Sequence, residues 1–272
     1  MKTVLVCHHD DDLNREALAR WLASFSNLAG LVVIEETRQQ KHRRIKREIQ
    51  RVGRFRFLDV LAYRIYHRLR LRHIDLAYEH ALIASIAARY PPLPCDLPIF
   101  VTPNANSAET QSFLDRLQPD LMIARCKVIL KPAVFESARL GTYVMHPGIC
   151  PKYRNAHGCF WALAEGDLQN VGMTLLKVDK GVDTGPVFGY FSYPYDELVE
   201  SHIVIQHRVV FDNLDRIRDK FTEIENGTAS TIDTRGHSSG TWGQPWLTKY
   251  FRWKAAAKRR AKKYETDIAA LS

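Results

Sequence analysis

The chain alternates between short apolar runs and longer stretches with helical spacing. Apolar runs at residues 3–7, 31–34, 99–101, 120–124 and 141–145 have the length of buried strands. Helical patterns follow several of them, at about 12–25, 107–117 and 201–225. Strands that alternate with helices form parallel sheets with right-handed crossovers. We therefore predict an α/β protein with a Rossmann-like, mostly parallel sheet and flanking helices.

A long interruption separates the second and third predicted strands. Residues 55–71 have the pattern of an amphipathic helix, and residues 75–90 that of a second helix, which Pro91 ends. The apolar face of the first helix consists of Leu58, Leu61, Ile65 and Leu69, and its cationic face of Arg64, Arg68 and Arg72. The interruption is therefore predicted to be a helical, basic insertion at about 38–92.

The net charge of +9 comes from two segments. Residues 38–72 hold 13 Lys and Arg against two acids, residues 249–263 hold 8 and no acid, and the remainder carries 18 basic and 28 acidic side chains. Basic segments with interspersed aromatic residues favour an anionic partner, either a nucleic acid or a membrane surface. A solvated helix face with a loose tail explains the same pattern equally well.

Length and composition exclude several classes of protein. With 272 residues and 46% hydrophobic content, the chain can form one substantial core. No apolar run reaches the roughly 18 residues of a membrane span, and the start, MKTVLVCHHDDD, is typical of a core strand and not of a secretory signal. Five cysteines without CxxC spacing indicate reduced thiols. A cytoplasmic location is expected.

Residues 141–189 contain an ordered series of motifs at predicted strand ends. His146 and Pro147 follow a strand, Arg154 lies in the next turn, Thr174 lies on the next strand, and the loop KGVDTGP contains Asp183. This order resembles the catalytic segment of the folate-dependent formyltransferases, which include glycinamide ribonucleotide transformylase, methionyl-tRNA formyltransferase and the sugar N-formyltransferases. Their signature runs roughly Asn-x-His-Pro-Ser-Leu-Leu-Pro, Tyr/Phe-Arg-Gly, Gly-x-Thr and Asp-x-Gly-Pro.

The resemblance implies a role for each matching position. His146 would hydrogen-bond to the formyl oxygen and shuttle the proton of the acceptor amine, and Asp183 would hold a water molecule and stabilise the protonated imidazole. The formyl donor would be 10-formyltetrahydrofolate. Contacts to its pteridine are expected from the segment that follows the preceding strand and from the loop before Asp183, namely Val128, Ile129, Leu130, Gly181 and Val182.

One catalytic element departs from the pattern. Val144 occupies the position of the Asn that lies two residues before the His in the resembled family. Loss of one oxyanion donor typically costs about two to three orders of magnitude in rate. Candidate substitutes, or contacts to the acceptor, are the asparagines of the loop TPNANS and two residues of the turn YRNAHG, namely Asn104, Asn106, Asn155 and His157.

The first strand raises a competing metal hypothesis. The sequence VLVCHHDDDL resembles the His-Pro-Asp-Asp start of zinc-dependent sugar deacetylases, and its candidate ligands are His8, His9, Asp10, Asp11 and Asp12. The proline is missing, no matching His motif follows downstream, and acids at a helix start are explained by capping. We expect no metal.

The resemblance implies a catalytic domain at 1–195 that includes the insertion, followed by a C-terminal helix and basic tail at 196–272. The expected activity is formyl transfer to the amine of a small molecule or of a nucleotide-linked amino sugar. Two alternatives remain because of Val144 and the basic segments: a hydrolase or altered acyl transferase with the same fold, and a noncatalytic binding protein that contacts a nucleic acid or a membrane surface.

Overall fold

The computed structural model describes residues 1–269, and its centre is a seven-stranded sheet. The strands are β1 (Lys2–His8), β2 (Asn27–Ile34), β3 (Ile99–Thr102), β4 (Leu121–Arg125), β5 (Gly141–His146), β7 (Met173–Lys177) and β8 (Val187–Phe191). Their order is β3-β2-β1-β4-β5-β7-β8. The first five are mutually parallel, β7 pairs antiparallel with β5, and β8 pairs antiparallel with β7. The predicted mostly parallel α/β fold is confirmed. The short strands β6 (Arg154–Asn155) and β9 (Thr241–Trp242) pair separately.

Helices cover both faces of the sheet. They are α1 (Ala19–Phe25, preceded by a π-helical segment Leu13–Leu18), α2 (Arg38–Val52), α3 (Arg54–Tyr66, continued by a π-helical segment His67–Leu71), α4 (Arg72–Arg89), α5 (Ala108–Leu117), α6 (Pro132–Phe135), α7 (Gly158–Ala164), α8 (His202–Phe211), α9 (Leu214–Glu225) and α10 (Leu247–Ala269). None of these helices is long and apolar enough to cross a membrane.

The core strands are apolar on both faces because each face is covered. Leu5 and Leu31 belong to the larger cluster, which extends to helices α1 and α7–α10. Val4 and Val32 point the other way, into the cluster formed with α5 and α6. Near-continuous apolar strands of this kind are typical of buried parallel sheets, which is why short runs without strict alternation still predicted strands here.

The topological switch point of the sheet, where the strand order reverses, lies between β1 and β4. Strands β2 and β3 extend to one side of β1, whereas β4 and β5 extend to the other. His8, Arg125 and His146 are the last residues of β1, β4 and β5. Ligands of open α/β sheets bind in the crevice beyond such carboxyl ends, so this edge is where a site is expected.

The insertion consists of the three helices α2, α3 and α4. The pattern of α3 suggests that its aliphatic side is buried, but in the structure that side faces the solvent. Val60 and Tyr63 face the core. The aliphatic face that the sequence analysis identified is exposed along its length, at Leu58, Leu61, Ile65 and Leu69. An amphipathic pattern shows that a helix has two faces, and here packing of Tyr63 against Phe160, His202 and Tyr250 decides which one is buried.

The basic segment 249–263 lies within α10 and not in a loose tail. Tyr250, Trp253 and Ala257 of this helix are buried. Arg260 forms an ion pair with Glu197 at 2.7 Å, and Lys254 donates to the carbonyl oxygens of Glu197 and Glu200. The C-terminal part therefore packs on the same core as the sheet.

Candidate active site

A cleft of about 400 Å³ opens at the carboxyl ends of β1, β4 and β5. Its volume lies within the range of small-molecule sites. His146 and Asp183 both line it. So do five further residues that the sequence analysis selected, namely Val128, Ile129, Leu130, Gly181 and Val182, together with Val144 and Asn155.

His146 has a defined neighbour at each ring nitrogen. The side chain is buried, with 6% exposure. Nε2 lies 2.8 Å from the carbonyl oxygen of Tyr153, which only accepts, so Nε2 carries a proton and donates it. Nδ1 lies 3.5 Å from Oδ2 of Asp183. In the neutral ring Nδ1 therefore has the free lone pair, and the carboxylate of Asp183 lies beside it.

The backbone near His146 must approach closely for this arrangement. A Cβ on Gly148 would lie 2.5 Å from the carbonyl oxygen of Tyr153 and 2.8 Å from Nε2 of His146. Thr174 then holds the same loop, because its hydroxyl donates to the carbonyl of Gly148 at 2.6 Å and accepts from the amide of Cys150 at 2.9 Å. The motif residue Thr174 thus has a structural function beside the imidazole.

Asp183 is held in an uncommon backbone conformation. Its φ is 51°, which is in the left-handed region that non-glycine residues seldom occupy. Oδ2 accepts a 2.7 Å hydrogen bond from the amide of Asn155. Arg154, another motif residue, donates to the carbonyl of Val182 at 3.1 Å. The turn that follows β5 therefore holds the Asp183 loop through two successive residues.

Strand β9 holds the turn at Asn155 in place. This contact was not predicted from the sequence. Asn155 has a φ of 80°, and its side-chain amide donates to the carbonyl of Trp242. Trp242 donates from Nε1 to the carbonyl of Lys152 at 2.8 Å and stacks on Tyr153 and Trp161. A signal was present in the tryptophans near residue 242, but spacing could not say what they contact.

Asn104 and Asn106 do not line the cleft, and neither supplies the missing donor there. The side chain of Asn106 donates to the carbonyl of Ile129 at 3.0 Å and accepts from the amide of Lys131 at 2.6 Å. The side chain of Asn104 accepts from the amide of Asn106 at 3.1 Å. Both polar ends of Asn106 are therefore used to shape the segment 128–130.

His157 also lies outside this cleft. It borders a second cavity of about 210 Å³, which Tyr63, His67 and His202 line as well. Its φ is 53°, and burial lowers the pKa of its imidazole to about 4. The turn YRNAHG thus places Asn155 in one cavity and His157 in the other, because the backbone bends between them.

Two donors near the active cleft were absent from the sequence-based candidates. Asn14 and Arg125 both line it. Arg125 donates from Nε to Oδ1 of Asn14 at 2.9 Å and from Nη1 to the carbonyl of Met145, the residue before His146. Burial lowers the pKa of the Arg125 guanidinium. A signal existed, since Arg125 directly follows an apolar strand.

The polar start of the first helix has no metal-binding geometry. His8 accepts from the amide of Lys127 through Nε2 at 2.9 Å, and Asp11 accepts from Asn14. Within residues 1–269, no group of three or more His, Cys, Asp and Glu side chains is arranged to hold a metal ion. Burial raises the pKa of Cys150 and of Cys159 to about 12, which opposes thiolate chemistry beside the cleft.

Comparison with known proteins is consistent with this site. Residues 79–197 match the family model described as formyl transferase. A methionyl-tRNA formyltransferase of Kosmotoga olearia is 37% identical over 92 residues, which cover 34% of this chain and 29% of that protein. The enzyme of the same name from Pseudomonas fluorescens is 36% identical over 100 residues, covering 36% and 31%. The matches thus span about a third or less of these relatives' length.

Solved structures show the same fold over most of the chain. A sugar N-formyltransferase from a Shewanella species superposes with a TM-score of 0.54 at 11% identity, covering 94% of this chain and 88% of that one. A phosphoribosylglycinamide formyltransferase from Anaplasma phagocytophilum gives 0.52 at 13% identity, covering 90% and 99%. His146 and Asp183 both lie within the segment 79–197 that matches the formyl transferase family model.

Proposed function

We propose that this protein transfers a formyl group from 10-formyltetrahydrofolate to a primary amine. The observation that carries the proposal is the pair formed by Nδ1 of His146 and Oδ2 of Asp183, 3.5 Å apart inside a cleft at the carboxyl edge of the sheet. The family match covers both residues.

The pair suits the proton movements of formyl transfer. When the amine nitrogen attacks the formyl carbon, it must lose a proton, and the nitrogen of the donor that leaves must gain one. Nδ1 of His146 can accept the first proton and return it to the leaving nitrogen, so no net proton is consumed. Nε2 keeps its own proton throughout because it donates to the carbonyl of Tyr153. Asp183 stabilises the protonated ring in the interval.

The lining of the cleft fits the donor's flat ring. Val128, Ile129 and Leu130 supply an apolar wall with backbone polar groups, and Gly181 and Val182 line the same cleft from the Asp183 loop. Asn106 fixes the first wall through the backbone of Ile129 and Lys131. When bound, the folate would supply the one-carbon group, and these residues would orient it and exclude water.

We propose that Arg125 supplies the electrophilic assistance that Val144 cannot. A valine has no donor for the oxygen that becomes negatively charged in the transition state. Arg125 is the cation anchored to the carbonyl next to His146, and its two assigned hydrogen bonds leave further N–H groups on the guanidinium. A positive charge in a buried site acts strongly on a developing oxyanion.

We propose a nucleotide-linked amino sugar or a small amine as the acceptor. The Shewanella protein is a sugar N-formyltransferase, and its chain superposes on nearly all of this one. The cleft lining carries both signs of charge, Arg125 and Lys127 against Asp11, Asp179 and Asp183. Both acceptor types must therefore be tested.

The experiment is a reaction with 10-formyltetrahydrofolate and a panel of amines, followed by detection of tetrahydrofolate and of the formylated product. The panel includes nucleotide-linked amino sugars, glycinamide ribonucleotide, small diamines and methionyl-tRNA. We expect amine-dependent product that disappears in His146→Gln. Tetrahydrofolate formed at the same rate without amine would select the hydrolase instead, and no turnover with any amine would refute formyl transfer to these classes.

A further inference from the structure

The solvent-facing side of the insertion carries a row of large apolar side chains. Phe55 is 91% exposed, Leu58 61% and Leu69 71%, and Leu61 and Ile65 are also exposed. Their spacing of three and four residues places them along one side of α3 and its π-helical continuation. Because Val60 and Tyr63 bury the opposite side, this orientation is fixed by packing.

The row continues onto α10. Tyr66 contacts both Tyr250 and Phe251, with ring centroids 5.5 and 5.2 Å apart, and Phe251 is itself exposed. Asp59 of α3 accepts from the amide of Thr248 at 3.0 Å and so joins the two helices at their polar side. We call the exposed apolar residues of both helices, Phe55, Leu58, Leu61, Ile65, Leu69 and Phe251, the α3–α10 face.

Cations lie beside this face, and among the described residues 1–269 no acid forms an ion pair with them. Exposed arginines on α3 and its continuation are Arg54, Arg56, Arg64, Arg68 and Arg70, and Arg72 is the exposed first residue of α4. The nearby acids form hydrogen bonds with other groups. Asp59 accepts from Thr248, and the buried Asp75 bonds to His67 and Ser201. On α10 the exposed cations include Arg252, Lys258 and Arg259.

We propose that the α3–α10 face docks on an anionic lipid bilayer. Protruding aliphatic side chains flanked by arginines are the features of a helix that lies in the bilayer interface, and each cation near an anionic leaflet adds attraction. Residues 54–71 span about 27 Å at 1.5 Å per residue, enough to lie flat along such a surface.

Other occupants fit the face less well. A second copy of the chain would bring its own arginines against these, and like charges oppose that contact. A single-stranded nucleic acid would use aromatic side chains as stacking platforms, whereas four of the six residues of this face are aliphatic. Both remain as outcomes of the test.

The test is flotation of the full chain with vesicles of phosphatidylcholine alone and of phosphatidylcholine with an equal part of phosphatidylglycerol. We expect binding to the anionic vesicles that weakens with salt, and little binding to the neutral ones. Phe55→Ser/Leu69→Gln should weaken binding about tenfold or more, and Arg68→Ser/Arg72→Ser about tenfold. All four positions are exposed, so the fold should persist.

Matched controls remove equally exposed groups elsewhere. Leu198→Gln/Val199→Ser removes two exposed apolar side chains of the loop before α8, and Arg116→Ser/Arg235→Ser removes two exposed arginines. Neither should change vesicle binding. The proposal fails if both vesicle types bind equally, if controls and face variants behave alike, or if Phe55→Ser/Leu69→Gln abolishes self-association in place of vesicle binding. Binding of single-stranded nucleic acid that competes with vesicles and needs only the arginines would also overturn it.

Activity separates this proposal from the catalytic one. None of the substituted residues lines the active cleft, so formyl transfer measured without vesicles should be the same in all four variants. Vesicle binding by a catalytically dead His146→Gln protein would support docking even if formyl transfer failed for every amine.

Discussion

The two ring nitrogens of His146 have different neighbours, as the proton shuttle proposed for this residue requires. The Tyr153 carbonyl fixes the proton on Nε2, and the carboxylate of Asp183 lies 3.5 Å from Nδ1. Asp183 in turn occupies a left-handed backbone conformation, which costs on the order of 1–3 kcal/mol and persists when the surroundings enforce it. The amide of Asn155 supplies part of that enforcement.

Removing either member of the pair should abolish most of the activity. His146→Gln and Asp183→Asn should each lower kcat by about 10²–10⁴, because proton transfer to a positioned base is lost, while KM for the folate changes little since the 128–130 wall is intact. Steady-state kinetics with 10-formyltetrahydrofolate provides the measurement. His9→Gln, an exposed histidine outside the cleft, is the control and should retain full activity. Activity within a few-fold of the original in His146→Gln would contradict the assignment.

A hydrogen-bond donor introduced at position 144 should compensate in part for the loss of Arg125. Arg125→Met should lower kcat by about 10²–10³, the usual cost of one oxyanion donor. Val144→Asn alone should raise kcat at most a few-fold, because the donor is already supplied. Val144→Asn added to Arg125→Met should recover at least tenfold of the loss, since its amide would return a donor two residues before His146. Loss of activity in Arg125→Met without any recovery in the double variant, with circular dichroism showing a native fold, would leave Arg125 a structural role only.

At the scale of elements, the active cleft is assembled by contacts between distant segments. Trp242 of strand β9 lies 87 residues beyond Asn155 in the sequence, and its carbonyl accepts a hydrogen bond from the Asn155 side chain. The backbone amide of Asn155 in turn donates to Asp183. Strand β9 therefore holds the turn that contacts Asp183. Stacking of Trp242 on Trp161 and Tyr153, at centroid distances of 4.8 and 5.6 Å, anchors the strand. Trp242 is thus a positioning residue for Asp183.

Trp242→Ala should lower kcat about tenfold because the turn at Asn155 loses its anchor. On an Asp183→Asn background the same substitution should have little further effect on kcat, since both changes act through one carboxylate, and coupled residues are not additive. Kinetics of the two single variants and the double variant completes the cycle. Tyr264→Ala, an exposed aromatic residue on α10, is the control. Fully additive losses in the cycle would show that Trp242 acts on kcat independently of Asp183 and would contradict its positioning role.

At the scale of the molecule, the insertion, the sheet helices and α10 meet around buried histidines. His202 and His157 lie with ring centroids 5.8 Å apart, and Tyr63 of the insertion hydrogen-bonds to His202 at 3.2 Å. Burial lowers the pKa of both imidazoles, that of His157 to about 4 and that of His202 well below its ordinary value. Both are therefore neutral in the folded protein at neutral pH.

This junction should make the protein acid-sensitive. In the unfolded chain these histidines take up protons near pH 6.5, whereas the folded protein resists protonation, so stability is complete above about pH 6.5 and falls as pH drops toward 4. For His157 the loss between pH 7.5 and 5 is about 2 kcal/mol in the free energy of unfolding. Urea unfolding at both pH values measures it.

His157→Asn isolates the contribution of one histidine. Asparagine tolerates the left-handed backbone at this position, and it does not titrate. The difference between the unfolding free energies at pH 7.5 and 5 should shrink by about 2 kcal/mol in this variant, whatever its stability at pH 7.5. An unchanged difference would mean that His157 is protonated in the folded protein.

Much of the architecture was predictable because it depends on local pattern. Apolar runs such as residues 3–7 and 141–145 became strands β1 and β5, and the helix starts at Ser107 and Ser201 carry side-chain caps in the structure. The boundaries of α3 and α4 were also close to their predicted limits. These features follow from spacing, capping chemistry and burial within one element.

The resemblance of the motifs in residues 141–189 to the formyltransferase segment was enough to predict that His146 and Asp183 share a cleft. The identity of their supports was not, because Asn106, Asn155, Arg125 and Trp242 act through contacts 20 to 111 residues away in sequence. The exposed side of α3 was undetermined for the same reason. Periodicity defines the two faces of a helix, but only the packing of Val60 and Tyr63 against the rest of the fold selects the one that meets water.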